Sequence, residues 1–272
     1  AADTLVSAGN DKILTNWNLK PAWKLVARLG PPTEKPLEVA ESALEDRIVS
    51  LAFSTDGTML ASGGGEPSRN GELMVWNVAD RTLQKKFEEA HSDTVLGVEF
   101  SYDNKFLLSG AADKFAKLFS VETGELIRSY EGHTHHVMDV SLKKDGSELV
   151  TAGADNAIKV WNQETGEQKR TISNYTKQVT SIAYQGDTEN VISCGGDKTV
   201  RFHQTSNGRQ IRSNSGPVEY QYGSVISRDG TLVLSAGDDG ILFLWNVTNG
   251  QALGQLEPPA ATAETQQVST EK

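Results

Sequence analysis

Several groups of residues in this 272-residue chain have the types and spacing to do chemistry. His133, Thr151 and Asp155 supply an imidazole, a hydroxyl and a carboxylate. Those are the parts of a nucleophile, its base and the acid that orients the base. Here Asp155 falls in the turn Gly153-Ala154-Asp155-Asn156 and Thr151 on the strand before it, a placement that suits tying a loop to a sheet better than attacking a substrate. The run Gly132-His133-Thr134-His135-His136 sets three imidazoles within four residues, donors that suit zinc or copper. A structural zinc takes four ligands, and no second group of Cys or His stands at ligand spacing. His135 and His136 therefore read as exposed loop histidines, and no metal is expected. Asp238-Asp239 lacks the spaced oxygens that calcium requires. Cys194, the single cysteine, reads as a small buried apolar residue. Gly63-Gly64-Gly65 lies between two strands and not before a helix, so it is no phosphate cradle. No Cys-x-x-Cys-His haem attachment is present, and no cofactor is expected.

The elements that must position these residues are strands. Leu149 to Asn162 reads as strand, tight turn, strand, with Asp155 six residues before Trp161. The same unit recurs with turn and anchor at Asp11 and Trp17, Asn70 and Trp76, Asp113 and Phe119, Asp197 and His203, and Asp239 and Trp245. The anchors at 76, 119, 161, 203 and 245 are 43, 42, 42 and 42 residues apart, and the first interval is 59. Hairpin turns recur in phase, among them Thr55-Asp56-Gly57, Lys144-Asp145-Gly146, Glu164-Thr165-Gly166 and Thr248-Asn249-Gly250. A period in the low forties with one small sheet per repeat is the pattern of a propeller array.

With these motifs the chain resembles the WD40 family of β-propellers, in its bacterial type, over roughly residues 1–257. The resemblance implies an all-β fold with five complete four-stranded blades plus one blade, at 1–30, lacking its inner strand. A closed ring removes exposed sheet edges. The expectation is therefore a fragment lacking the start of a seven-bladed ring. The family also carries a hydrogen-bonded tetrad of His, Ser or Thr, Asp and Trp. Residue by residue this falls on His133, Thr151, Asp155 and Trp161, and implies a structural role for them. Other blades hold partial copies: His91, Ser109 and Asp113 with Phe119; Tyr175 and His203 in place of His and Trp; Leu44 and Asn70 in place of His and Asp. Family contact positions, on the face carrying the Asp turns, fall on Arg47, Arg69, His136, Met138 and Gln178, with Lys114, Tyr175 and Lys198 near them.

Composition bounds the rest. The net charge of −10 argues against a nucleic-acid partner, which draws on clustered Lys and Arg. No apolar run reaches the roughly 20 residues of a membrane span. Residues 30–46 hold three prolines and five acidic residues and read as an extended loop with a helical turn over 39–44. Residues 258–272 read as a flexible tail. The expected function is a non-enzymatic scaffold that binds other proteins. The alternative is the docking or sensory propeller of a larger enzyme or haem-containing redox protein whose catalytic part precedes residue 1. A third reading puts a metal or small ligand on the histidine face. The chain reads as soluble, cytoplasmic or exported after loss of a leader.

Overall fold

In the computed structural model, the described residues are the strand segments 4–8, 14–18 and 24–28 and residues 46–217, 219–227 and 229–256. The helical turn expected at 39–44, Leu44 and the tail at 258–272 lie outside them. Among the described residues every regular element is a strand. A three-stranded antiparallel sheet contains β1 (Thr4–Ala8), β2 (Leu14–Asn18) and β3 (Lys24–Arg28). Five four-stranded sheets follow as propeller blades. Their inner strands are β4 (Ile48–Phe53), β8 (Val95–Phe100), β12 (Val137–Leu142), β16 (Val179–Tyr184) and β20 (Gln221–Ile226). The second strands are β5 (Met59–Gly64), β9 (Phe106–Ala111), β13 (Glu148–Gly153), β17 (Asn190–Gly195) and β21 (Leu232–Gly237). The third are β6 (Glu72–Asn77), β10 (Phe115–Ser120), β14 (Ile158–Asn162), β18 (Thr199–Gln204) and β22 (Leu242–Asn246). The outer strands are β7 (Thr82–Lys86), β11 (Leu126–Glu131), β15 (Gln168–Ile172), β19 (Gln210–Ser215) and β23 (Ala252–Leu256).

The core lies between blades. Side chains alternate across a strand, so adjacent residues serve different neighbours. Leu149 packs with Leu108, Leu118, Tyr130 and Trp161 towards the β8 blade. Val150, next along β13, packs with Tyr175, Val179 and Ile182 of the β16 blade. The same division joins Leu73, Val75 and Phe87 to Val95, Phe100 and Phe119, and Ile192 and Phe202 to Val233 and Trp245.

Two polar series link successive blades. Neighbouring inner strands belong to different sheets, so the N–H groups on their free edges need other acceptors. Side chains of the preceding inner strand provide them. Ser50 Oγ accepts from Val98 N at 3.1 Å, Glu99 Oε2 from Leu142 N at 2.6 Å, Asp139 Oδ2 from Ile182 N at 2.8 Å and Ser141 Oγ from Tyr184 N at 3.1 Å. At the last junction Ser181 Oγ donates to Ser224 O at 3.2 Å. At the rim, one cation on each of β7, β11, β15 and β19 reaches the carbonyls of the next blade's turn. Lys85 donates to Glu122 and Thr123, Arg128 to Thr165, Arg170 to Thr205 and Ser206, and Arg212 to Val247 and Thr248.

Burial pushes the Glu99 carboxyl up to about 8, and the charge of Asp139 adds to the rise; burial pushes Asp139 up to about 6. A carboxyl raised in the folded state contributes stability that is complete below its unfolded value and lost as pH rises through the folded one. The thermal midpoint should therefore fall between pH 5 and 9, and Glu99→Gln should flatten the upper part of that decline. Scanning fluorimetry across this range tests it; an unchanged slope in the variant would refute the assignment.

Candidate functional site: the loop face and the network beneath it

The loop before β12 and the turn between β13 and β14 are held together by one hydrogen-bonded chain. Trp161 Nε1 donates to Thr151 Oγ1 at 2.9 Å. Thr151 Oγ1 lies 2.6 Å from His133 Nε2, and His133 Nδ1 lies 2.9 Å from the Asp155 carboxylate. Thr134 N also donates to Asp155, at 3.0 Å. A neutral imidazole with its proton on Nδ1 satisfies every link: Trp to Thr, Thr to His, His to Asp. Burial alone would raise the Asp155 carboxyl, but His133, Thr134 N–H and Lys159 outweigh it and hold it below the usual carboxylate range. Gly153 sits where a Cβ would come 2.4 Å from His133 Nδ1 and 2.2 Å from Asp155 Oδ1, so a larger residue there would displace the network. Thr151 is fully buried. Its hydroxyl can join strand to loop, but no substrate can reach it.

Other blades build variants of this chain. In the β8 blade His91 bridges Asp113 at 2.9 Å and Ser109 at 2.8 Å, while Phe119 has no indole N–H to continue, and Ser109 Oγ turns to Lys117 O. The β4 blade keeps Trp76 Nε1 on Ser62 Oγ at 2.9 Å. In the β16 blade Tyr175 OH lies 2.7 Å from Ser193 Oγ and 3.2 Å from His203 Nδ1. Asp197 there turns to Arg201, whose guanidinium sits over the Tyr175 ring. Burial and the charge of Arg201 push His203 down to about 4. Tyr175 is thus buried. Its place as a surface contact is corrected: it fills the histidine position of its blade and has no free face to offer.

The remaining sequence-derived positions are brought together by backbone geometry. Each Asp turn donates one N–H to the residue that precedes an inner strand. Gly65 donates to Arg47, Ala112 to Thr94, Ala154 to His136, Gly196 to Gln178 and Asp238 to Tyr220, at 2.9 to 3.0 Å. Arg47, Thr94, His136, Gln178 and Tyr220 are therefore equivalent, one per blade, on a single face. One residue further in, each inner strand carries a β-bulge against its partner, between Ile48 and Ser50, Val95 and Gly97, Val137 and Asp139, Val179 and Ser181, and Gln221 and Gly223. The skipped residues are Val49, Leu96, Met138, Thr180 and Tyr222. Lys114 and Lys198 project from Asp turns at φ of 78° and 65°. Arg69, on the enlarged turn of the β4 blade, is exposed and paired with Glu66. His135 and His136 lie ring to ring at 4.3 Å; burial, His135 and Lys114 push His136 down against the pull of Asp93. Among the described residues, no three His, Cys, Asp or Glu side chains converge to hold a metal. Cys194 is buried, which pushes its thiol up to about 11. Sequence reading missed Tyr220 and Tyr222, although steps of 42 from Gln178 and, through Thr180, from Met138 lead to both.

The family model for the WD domain, G-beta repeat, matches residues 39–77, 81–120, 124–162, 166–204 and 211–246. The chain belongs to the WD40 family. This WD40 chain is 29% identical over 108 residues to a WD repeat-containing protein 55 homolog of Aedes aegypti, covering 39% of this chain and 22% of the relative. It is 34% identical over 94 residues to a poly(A)+ RNA export protein of Schizosaccharomyces pombe, covering 34% and 25%. It is 29% identical over 99 residues to protein HIRA of Dictyostelium discoideum, covering 32% and 8%. The match thus spans a quarter or less of each of these relatives. Among the described residues no helix is long and apolar enough to cross a membrane.

Removing the Asp155 carboxylate leaves His133 Nδ1 and Thr134 N without their acceptor. Asp155→Ala should cost about 1–3 kcal/mol, the penalty for an unpaired buried polar group. Urea denaturation measures it, and an unchanged midpoint would count against the network's role.

Proposed function

We propose that this WD40 chain is a non-enzymatic docking platform for other proteins, and that partners bind the face carrying the Asp turns. One observation carries the reading: five equivalent positions, from Arg47 to Tyr220, are set on one face by the same backbone hydrogen bond. A rigid scaffold that repeats one position five times with different side chains suits partner selection. Beneath it, the His133–Thr151–Asp155–Trp161 chain acts as a fastener that fixes the height of a loop. The relatives are named for different roles, RNA export among them, so the loop side chains rather than the fold would set the partner.

The β1–β3 sheet, in this reading, is one blade of a seven-bladed ring. Apolar exposure supports this. Val49 and Phe53 on β4 are 45% and 41% exposed, and Tyr222 and Val225 on β20 are 60% and 62% exposed, while the apolar residues of β8 and β12 are largely covered. These strands stand at the two ends of the five-blade series, where a covering strand is wanted. Averaged electron-microscope views of the intact protein along the ring axis should show seven blades; six would overturn this part.

Proteins captured from an extract of the source organism, identified by quantitative mass spectrometry, test the platform. Arg47→Glu should deplete the specific partner at least fivefold. Asp145→Asn, on the hairpin at the far end of the sheet, should leave capture unchanged. Loss with Asp145→Asn and retention with Arg47→Glu would place the partner elsewhere.

A further inference from the structure

We infer that a cleft between the β4 and β8 blades receives an arginine side chain, carried on a basic segment of another protein. The guanidinium stands against Phe115, among the carboxylates of Glu88, Glu89 and Glu131. The site is separate from the platform and does not rest on that reading.

The cleft follows from two breaks in the repeat. The anchors Trp76 and Phe119 are 43 residues apart, where the later intervals are 42. The extra residue falls between Phe87 and His91, a stretch that Tyr130 to His133 covers with one fewer. The second break is the enlarged turn of the β4 blade, Gly64 to Asn70, where the β12 blade needs only Gly153 to Asp155. The enlarged turn leans on the lengthened loop: Ser68 N donates to Asp93 Oδ1 at 2.8 Å and Gly71 N to His91 O at 2.9 Å. Between them and the β10–β11 pair a cleft of about 680 Å³ remains, lined by Gly71 and Glu72 on one side and by Phe115, Lys117, Ser129 and Glu131 on the other. At the next junction the shorter loop packs down instead, and a Cβ on Gly132 would meet Trp161 and Gln168 Oε1 at 3.0 Å. The walls of the cleft are third and outer strands, towards the rim. Arg47, Thr94, His136, Gln178 and Tyr220 take no part in it.

Charge sets the chemistry of the occupant. Glu72, Glu88, Glu89, Asp113 and Glu131 bring carboxylates to the lining, against the cations Arg69, Lys86 and Lys117. Burial pushes the His91 imidazole down and keeps it neutral, against the pull of Asp113. The lining is therefore acidic. Its cations are also committed, Arg69 to Glu66 and Lys117 to Ala90 O at 2.6 Å, and Lys86 is engaged too. The side chains of Glu88, Glu89 and Glu131 are exposed and make no hydrogen bond or ion pair among the described residues. Glu89 is held at φ 50°, in the left-handed region that glycine favours. The loop thus accepts strain at a residue that presents a carboxylate.

An occupant must bring positive charge and lay a flat face on the half-buried Phe115 ring. A guanidinium does both, stacking on an aromatic face while its fork of donors meets carboxylates. An ammonium is more strongly hydrated and has no flat face. The phosphates of a nucleic acid would be repelled. Among the described residues no three His, Cys, Asp or Glu side chains converge, so a bare metal ion finds no ligand set. The volume exceeds that of one side chain, so the arginine brings flanking residues with it.

Subtractive selection from a random peptide display library tests the inference, at about 150 mM salt, where charges more than about 8 Å apart are largely screened. Peptides are kept that bind the immobilised 272-residue chain and not its Ser129→Trp variant, whose indole fills the cleft and leaves every charge in place. They should share an arginine. A fluorescein-labelled consensus peptide should bind about tenfold more weakly to Glu88→Gln/Glu89→Gln/Glu131→Gln, which loses the charge-assisted contacts. Replacing its arginine by lysine should weaken it about threefold, since the planar fork is lost. Glu164→Gln/Glu167→Gln, on a remote hairpin, and Arg47→Glu, on the platform, should bind as the parent does. Circular dichroism confirms that each variant is folded; should Ser129→Trp fail, the triple glutamine variant, altered only at exposed side chains, replaces it in the selection. Equal loss with Glu164→Gln/Glu167→Gln would mean general attraction to an acidic surface and overturn the site. Loss with Arg47→Glu would move the peptide to the platform and overturn it as well. Peptides without arginine, or no peptides, would overturn it and leave the platform standing.

Discussion

The structure depends on one constraint: a four-stranded sheet has two apolar faces and no core of its own. Each face must be covered by a neighbour, as Leu149 and Val150 show by serving opposite sides of one strand. Stability therefore resides in junctions. That is why Trp161, Tyr130 and Leu108 are completely buried although each belongs to a thin sheet near solvent. It is also why the polar series at hub and rim are interblade contacts and not ornaments of single blades.

The same constraint separates residues that hold the blades together from residues that merely stand on the loop face. The His133 network lies under the surface and fixes where a loop stands. The residues above it, such as His136 and Met138, are free to differ from blade to blade because no packing demands their identity. The β16 blade shows the boundary being moved. There Tyr175 reaches from the loop to Ser193 and His203, so a residue of loop position becomes part of the interior.

Much of this was legible in the chain. The six-residue step from turn Asp to anchor and the 42-residue period located every strand of the five blades. The His133 set could be carried over because each of its residue types was present at the right offset. Other features were not legible, for physical reasons. Tyr175 was ambiguous because a tyrosine can be buried or exposed, and only the partner hydroxyl decides. Lys85, Arg128, Arg170 and Arg212 look like solvated residues on polar outer strands, since their acceptors are backbone carbonyls that carry no sequence signal. Glu99 and Asp139 likewise answer to N–H groups about 43 residues away.

The rim contacts have a direction. At each of the four junctions between the four-stranded blades the cation belongs to the earlier blade and the carbonyls to the later one, and the hub side chains that accept from the next strand likewise belong to the earlier blade. A chain made from its N-terminus presents the side chain of each such pair before its backbone partner. Each blade, once formed, is a template waiting for its successor, and the successor needs nothing still to be synthesised in order to be held. Assembly can proceed as a ratchet, one sheet at a time. A large non-local fold is thereby divided into steps of about 40 residues, the period of the repeat.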